Sequence, residues 1–213
     1  MNCCIIGVGL FGYTAALQLT QNGMKVCAVD KDISIISDIQ DKVSYAVCLE
    51  VIDEHSLKSI SADTFDIIIL AMGQNFEELV IIAGLLKKKF DIPTIICRAS
   101  TDQQKTILNM IGIEYVILPE KESALELIDK ITIGYGYFHR ITSNYSVTYV
   151  SGKKAWIGLS IQELEEKYNH EITVLGKKIE NEIERLSPFE EIVGNELFLI
   201  AGENTLLLQI TKS

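Results

Sequence analysis

Three glycines near the amino terminus are spaced to hold phosphate. Gly7-Val8-Gly9-Leu10-Phe11-Gly12 reads G-x-G-x-x-G, after the apolar run Asn2–Ile6 and before the amphipathic stretch Phe11–Gln21. The first glycine permits a tight turn, and the second lets backbone N–H groups approach a pyrophosphate. The third lets a helix pack against its strand. The helix opening at this point adds the partial positive charge of its amino terminus. Further on, the run KVCAVD ends in Asp30. A carboxylate there accepts hydrogen bonds from both ribose hydroxyls and repels a 2′-phosphate, which disfavours NADP. Strand, glycine loop, helix and distal acid in this order predict a nucleotide-binding Rossmann unit.

The rest of the candidate set follows from where strand-like runs end, because ligands of open α/β sheets bind at the carboxyl ends of strands. Leu10 and Phe11 belong to the loop itself, and Lys31 stands beside Asp30. Glu50 follows the third run and could reach adenine or ribose. Ala71, Met72, Gly73 and Asn75 follow the fourth. Arg98 follows the fifth, as a cation placed to meet a phosphate or as an ordinary surface or dimer salt-bridge residue. An oxidoreductase would also need a proton donor or base near the nicotinamide. The three histidines, His55, His139 and His170, form no recognisable catalytic pair with a carboxylate and Ser, Tyr or Lys. The cysteines Cys3, Cys4, Cys27, Cys48 and Cys97 lie in apolar runs without C-x-x-C spacing and read as small buried hydrophobes.

The elements that must position these residues alternate. Strands are expected at Asn2–Ile6, Lys25–Val29, Tyr45–Leu49, Ile67–Ala71, Thr94–Cys97 and Tyr115–Ile117. Helices are expected at Phe11–Gln21, Ile33–Lys42, Glu54–Ile60, Phe76–Phe90, Asp102–Met110 and Lys121–Ile133. Such alternation demands right-handed crossovers and a parallel sheet, so the predicted fold is α/β, a Rossmann-like doubly wound sheet. After residue 138 the pattern changes. Strands read at Tyr145–Val150, Glu171–Ile179 and Glu196–Gly202, a helix follows Ser160, and Asn204–Ile210 forms another short element. The expected division is a nucleotide-binding domain over 1–138 and a smaller α+β domain over 139–213.

Composition narrows the partners. The chain has 213 residues, 48% of them hydrophobic, and a formal charge of −10. A core is available, while a nucleic-acid partner would call for a basic face. No apolar run is long enough for a membrane span, and the first residues lack the basic flank of a signal peptide. A cytoplasmic protein is expected, with any membrane role exercised through a partner.

A family resemblance runs through these same residues. GVGLFG, AVD at Val29-Asp30, AMGQN at Ala71–Asn75, RA at Arg98-Ala99 and GIEYVILPE at Gly112–Glu120 occur in the order of the RCK, or KTN, domain. Gly158–Leu164, Pro188 and Gly194–Leu197 resemble the RCK-C module. The chain thus resembles cytosolic regulatory subunits of Trk/Ktr-type potassium transport. The resemblance implies a regulator rather than an enzyme, held at the inner face of the membrane by a potassium-translocating subunit. It also implies dimers assembled into an octameric ring. The implied ligand is ATP or ADP as in the Ktr branch, or NAD or NADH as in the Trk branch. Relatives that sense ATP usually carry arginine where this chain has Leu10, and losing that guanidinium removes a contact to a terminal phosphate. Glu120 matches a glutamate near the nucleotide and subunit interface where a cation binds; a helix N-terminal acid is the other reading. The stretch Leu164–Tyr168 lacks the arginine with which some relatives hold cyclic di-AMP. Two alternatives stand beside this reading: an NAD-dependent oxidoreductase, and a nucleotide sensor for another cation transporter.

Overall fold

The computed structural model describes residues 1–213 except Gln74, 134–137, Ser143, Asn181 and Ser213. The chain divides into two compact units, Met1–Glu122 and Ser123–Ser213.

In the first unit, strands β1 (Asn2–Ile6), β2 (Lys25–Asp30), β3 (Tyr45–Cys48), β4 (Ile67–Leu70), β5 (Thr94–Arg98) and β6 (Tyr115–Ile117) alternate with helices. These are α1 (Leu10–Gln21), α2 (Ile33–Ile39), α3 (Glu54–Ser59), α4 (Phe76–Leu85) and α5 (Asp102–Met110). All strands are parallel, in the order β3-β2-β1-β4-β5-β6. The predicted Rossmann-like sheet is the one observed. Because side chains alternate along a strand, each strand supplies both faces of the sheet. Cys4, Ile6, Val29 and Leu70 face Leu57 of α3, Leu79 of α4 and Leu108 of α5. Cys3, Ile5 and Ala28 face Ala16 of α1 and Ile36 of α2. The order reverses between β1 and β4, which opens a crevice at their carboxyl ends.

The helix expected over Phe76–Phe90 changes character within its length. α4 ends at Leu85, and a π-helical turn over Leu86–Phe90 closes with Asp91 in the left-handed region at φ 52°. The expected burial of all five cysteines needs correction. Cys48 is exposed, because β3 is an edge strand with one side unpaired, whereas Cys3, Cys4, Cys27 and Cys97 are buried.

Helix α6 (Pro119–Ile133) begins in the first unit and continues into the second. The compact units therefore part within α6, whereas the expected division at residue 138 assigned all of it to the amino-terminal domain. The second unit holds an antiparallel sheet in the order β10-β9-β11-β8-β7. Its strands are β7 (Phe138–Arg140), β8 (Tyr145–Ser151), β9 (Ile172–Ile179), β10 (Glu182–Glu184) and β11 (Leu197–Glu203). Two helices join them, α7 (Ile161–Lys167) and α8 (Asn204–Lys212). Trp156, Leu164, Phe198 and Leu207 form its core. Ser160 caps α7 reciprocally with Glu163, as its position predicts. Residues Asn204–Ile210 fall within α8. β7 and β10, three residues each at the sheet's two edges, were not expected. Among the described residues no helix is long and apolar enough to cross a membrane.

Candidate functional site

The loop after β1 is fixed by two of its glycines and left open by the third. Gly7 adopts φ 91°, and a Cβ there would stand 2.9 Å from the backbone nitrogen of Met72. A Cβ on Gly12 would meet the carbonyl oxygen of Gly7 at 2.0 Å. The fold itself excludes side chains at both positions. Gly9 is different: its φ is an ordinary −64°, and beyond its immediate chain neighbours no described atom lies within 4 Å of where its Cβ would be. Open space therefore stands before the amino terminus of α1. No described side chain caps that terminus, and its first turn carries no acid. Free first-turn N–H groups beside open space make a cradle suited to an anion.

Asp30 borders this cradle at the end of β2. Its Oδ2 accepts the Val8 N–H at 2.6 Å and its Oδ1 accepts the Asp32 N–H at 2.9 Å. Asp32 in turn caps α2 by accepting from the Ser34 N–H. Next to them, Lys31 Nζ donates to Glu50 Oε1 at 2.9 Å, and that carboxylate holds the Lys31 ammonium above its ordinary pKa. Across the crevice, Asn75 Nδ2 donates to Glu78 Oε1 at 2.6 Å at the start of α4.

Arg98 leaves the end of β5 and passes over Gly73. A Cβ on Gly73 would stand 2.7 Å from Arg98 Nη1, so a glycine is what lets the guanidinium lie there. Nη2 is ion-paired with Glu120 in the first turn of α6. Nε is buried and has no partner among the described residues. The backbone N–H at the head of α6, followed by the Arg98 side chain, holds the Glu120 carboxyl below the usual carboxylate range. Among the described residues no group of three or more His, Cys, Asp or Glu is placed to hold a metal.

These pieces enclose a cleft of about 390 Å³, within the range of small-ligand sites. Of the residues singled out in the sequence, Gly7, Gly9, Asp30, Lys31, Glu50, Ala71, Met72, Gly73, Asn75 and Arg98 line it. Leu10, Phe11, Gly12 and Glu120 do not. Leu10 is 89% exposed, Phe11 packs into the core, and Gly12 lies against Gly7. Gln74, inside the AMGQN motif, lies outside the described residues. The lining adds Asp32 and Glu78, both missed in the sequence although each belongs to a helix-cap pattern, Asp-x-Ser and Asn-x-x-Glu. Ile35, Leu49 and Val51 add apolar surface. Four carboxylates and two cations therefore face the cleft. His55, His139 and His170 are exposed, and none of them lines it.

Comparison with known proteins places this geometry among relatives. Residues 3–119 match the family described as the TrkA-N domain. The chain is 24% identical to the Ktr system potassium uptake protein C of Bacillus subtilis over 211 residues, 98% of this chain and 95% of that protein. It shares the fold of the GsuK channel bound to NAD, with a TM-score of 0.57 at 15% identity over 99% of this chain and 38% of that one. It also shares the fold of a Shewanella denitrificans Kef CTD in AMP-bound form, with a TM-score of 0.56 at 19% identity, over 62% of this chain and 81% of that one.

Proposed function

The chain belongs to the TrkA-N domain family, and from that premise we propose that it is a regulatory subunit whose nucleotide occupancy gates a membrane potassium-uptake protein. The observation that carries the reading is the uncapped amino terminus of α1 opposite Asp30. Gly9, the residue that leads into α1, and the Asp30 carboxylate line one cleft. In this reading the phosphates rest on the first turn of α1 and reach toward Arg98. The ribose hydroxyls donate to Asp30. The base lies by Glu50, Lys31 and the apolar side chains Leu49 and Val51.

The ligand is an adenine nucleotide of the ATP/ADP type, or NAD/NADH. Relatives in NAD-bound and AMP-bound form support that class, and Asp30 disfavours a 2′-phosphate. Leu10, pointing into solvent, offers a third phosphate no cation, so Arg98 carries the discrimination. A cation at Glu120 would share that carboxylate with Arg98 and would need further ligands from a second copy of the chain. The second unit is read as the RCK-C-type module. The protein works on the cytoplasmic face of the membrane as a dimer assembled into an octameric ring beneath its pore. A nucleotide shifts such an assembly only by binding its two states with different affinity.

Two measurements test this. Thermal denaturation with ATP, ADP, AMP, NADH and NAD is expected to show stabilisation by at least one of them, since a ligand selective for the native state raises the midpoint. Deleting the gene is expected to impair potassium uptake, and the protein to co-purify with a potassium-translocating membrane subunit. Normal uptake together with failure to co-purify would overturn the reading. Turnover of NADH with a small substrate would replace it with an oxidoreductase.

A further inference from the structure

Both cations that face the cleft already have a carboxylate partner. The two pairs differ in kind. Lys31 and Glu50 are 68% and 53% exposed at the side chain, where water screens their attraction. The Arg98 side chain is only 22% exposed, lies over Gly73, and is oriented by the path it takes there. A guanidinium presents five N–H donors in a fixed fork. Here Nη2 serves Glu120, while the buried Nε–H has no acceptor among the described residues. A buried donor without an acceptor is costly and favours any arrangement that supplies one. Glu120 itself is not part of the cleft wall. It reaches Arg98 from the first turn of α6.

We propose that Glu120 is an internal counter-ion for Arg98 that the terminal phosphate of the ligand displaces, so that phosphate binding and release of the first turn of α6 are one event. The inference rests on the nucleotide reading of the cleft. A terminal phosphate, substituted at a single oxygen, carries more charge than a carboxylate and offers three acceptor oxygens to the Nη–H groups of the fork. The internal diphosphate of a dinucleotide has only singly charged phosphates and competes less well. The site is thereby biased toward ligands that end in a terminal phosphate substituted at only one oxygen. The displaced carboxylate is not stranded, because the backbone N–H groups at the head of α6 still favour a negative charge. α6 is also the helix within which the first unit ends and the second begins, so its first turn is where the cleft can act on the rest of the chain.

The test is titration calorimetry on the full chain with ADP, NAD and adenosine. It compares the parent, Glu120→Gln, and Glu120→Gln combined with Arg98→Gln. Circular dichroism confirms that each variant is folded. Removing the competing charge is expected to tighten ADP roughly fivefold, the size of a partly exposed ion pair. NAD is expected to gain less and adenosine nothing. The gain is expected to vanish when Arg98 is also replaced. Unchanged or weaker ADP binding in Glu120→Gln overturns the competition, and weaker binding would make Glu120 a residue that helps hold the ligand. A parent protein that binds none of the three overturns the nucleotide reading, and this inference with it.

Discussion

Asp30 Oδ2 accepts the backbone N–H of Val8 at 2.6 Å, tying the end of β2 to the loop that leaves β1. The acid that sequence spacing assigns to a ribose is thus also part of the loop's own architecture. The two roles are compatible, since each carboxylate oxygen has a second lone pair for a hydroxyl donor.

Asp30→Ala is therefore expected to act twice. Affinity for every ribose nucleotide should fall at least about tenfold, as a charge-assisted contact is lost. Stability should fall by about 1–2 kcal/mol as the Val8 N–H loses its acceptor. Calorimetry and urea unfolding separate the two effects. Unchanged nucleotide binding would remove the ribose role and leave only the structural one.

The glycines of the loop should part company when replaced. Gly12→Ala forces a Cβ onto the Gly7 carbonyl and is expected to destabilise the protein by about 2–3 kcal/mol, as overpacking does. Gly9→Ala meets open space and should change stability by less than about 1 kcal/mol while weakening nucleotide binding. Parental affinity in folded Gly9→Ala would put the phosphates elsewhere.

Acid should weaken the first unit through Glu54. Hydrogen bonds from Lys58, at 2.8 Å, and from Lys89 pull its carboxyl from an ordinary 4.5 down to about 2. A carboxylate with a depressed folded-state pKa contributes stability above its unfolded pKa. It loses that contribution as pH falls through the folded value. The urea midpoint of the parent should therefore fall more steeply between pH 4.5 and 2 than that of Glu54→Gln. Parallel curves would mean that the lysine contacts contribute nothing in solution.

One thiol should stand apart from the other four. Burial pushes Cys3 up to about 11 and Cys97 up to about 12, whereas Cys48 is exposed on an edge strand. At pH 8 a brief iodoacetamide treatment of the native protein should label Cys48 alone, with all five cysteines reacting in denaturant. Labelling of Cys97 in native protein would show that the core opens readily.

Much of this architecture is legible in the residues because hydrophobic period and glycine spacing are local signals. β1, β6 and α5 lie where the sequence places them, and Gly7, Gly9 and Asp30 line one cleft. What escaped depends on pairing between distant segments. Nothing in Tyr45–Cys48 says that its strand is an edge, so Cys48 reads as buried. β2 extends through Asp30 because Asp30 pairs with Cys48. β7 and β10, three residues each at the two edges of the antiparallel sheet, are defined by the strands they pair with and escaped as well. Arg98 and Glu120 each stood out individually, but their pairing across 22 positions emerges only from the fold.

Among the described strands, the edges of both sheets are short: β3 has four residues, and β6, β7 and β10 have three each. An unpaired strand edge is a template on which another polypeptide can add itself. Edges this brief expose few consecutive donors and acceptors, too few to seed such growth. Copies of the chain brought to high local density can therefore meet through side chains while their backbones stay separate, which guards against fusion into fibres.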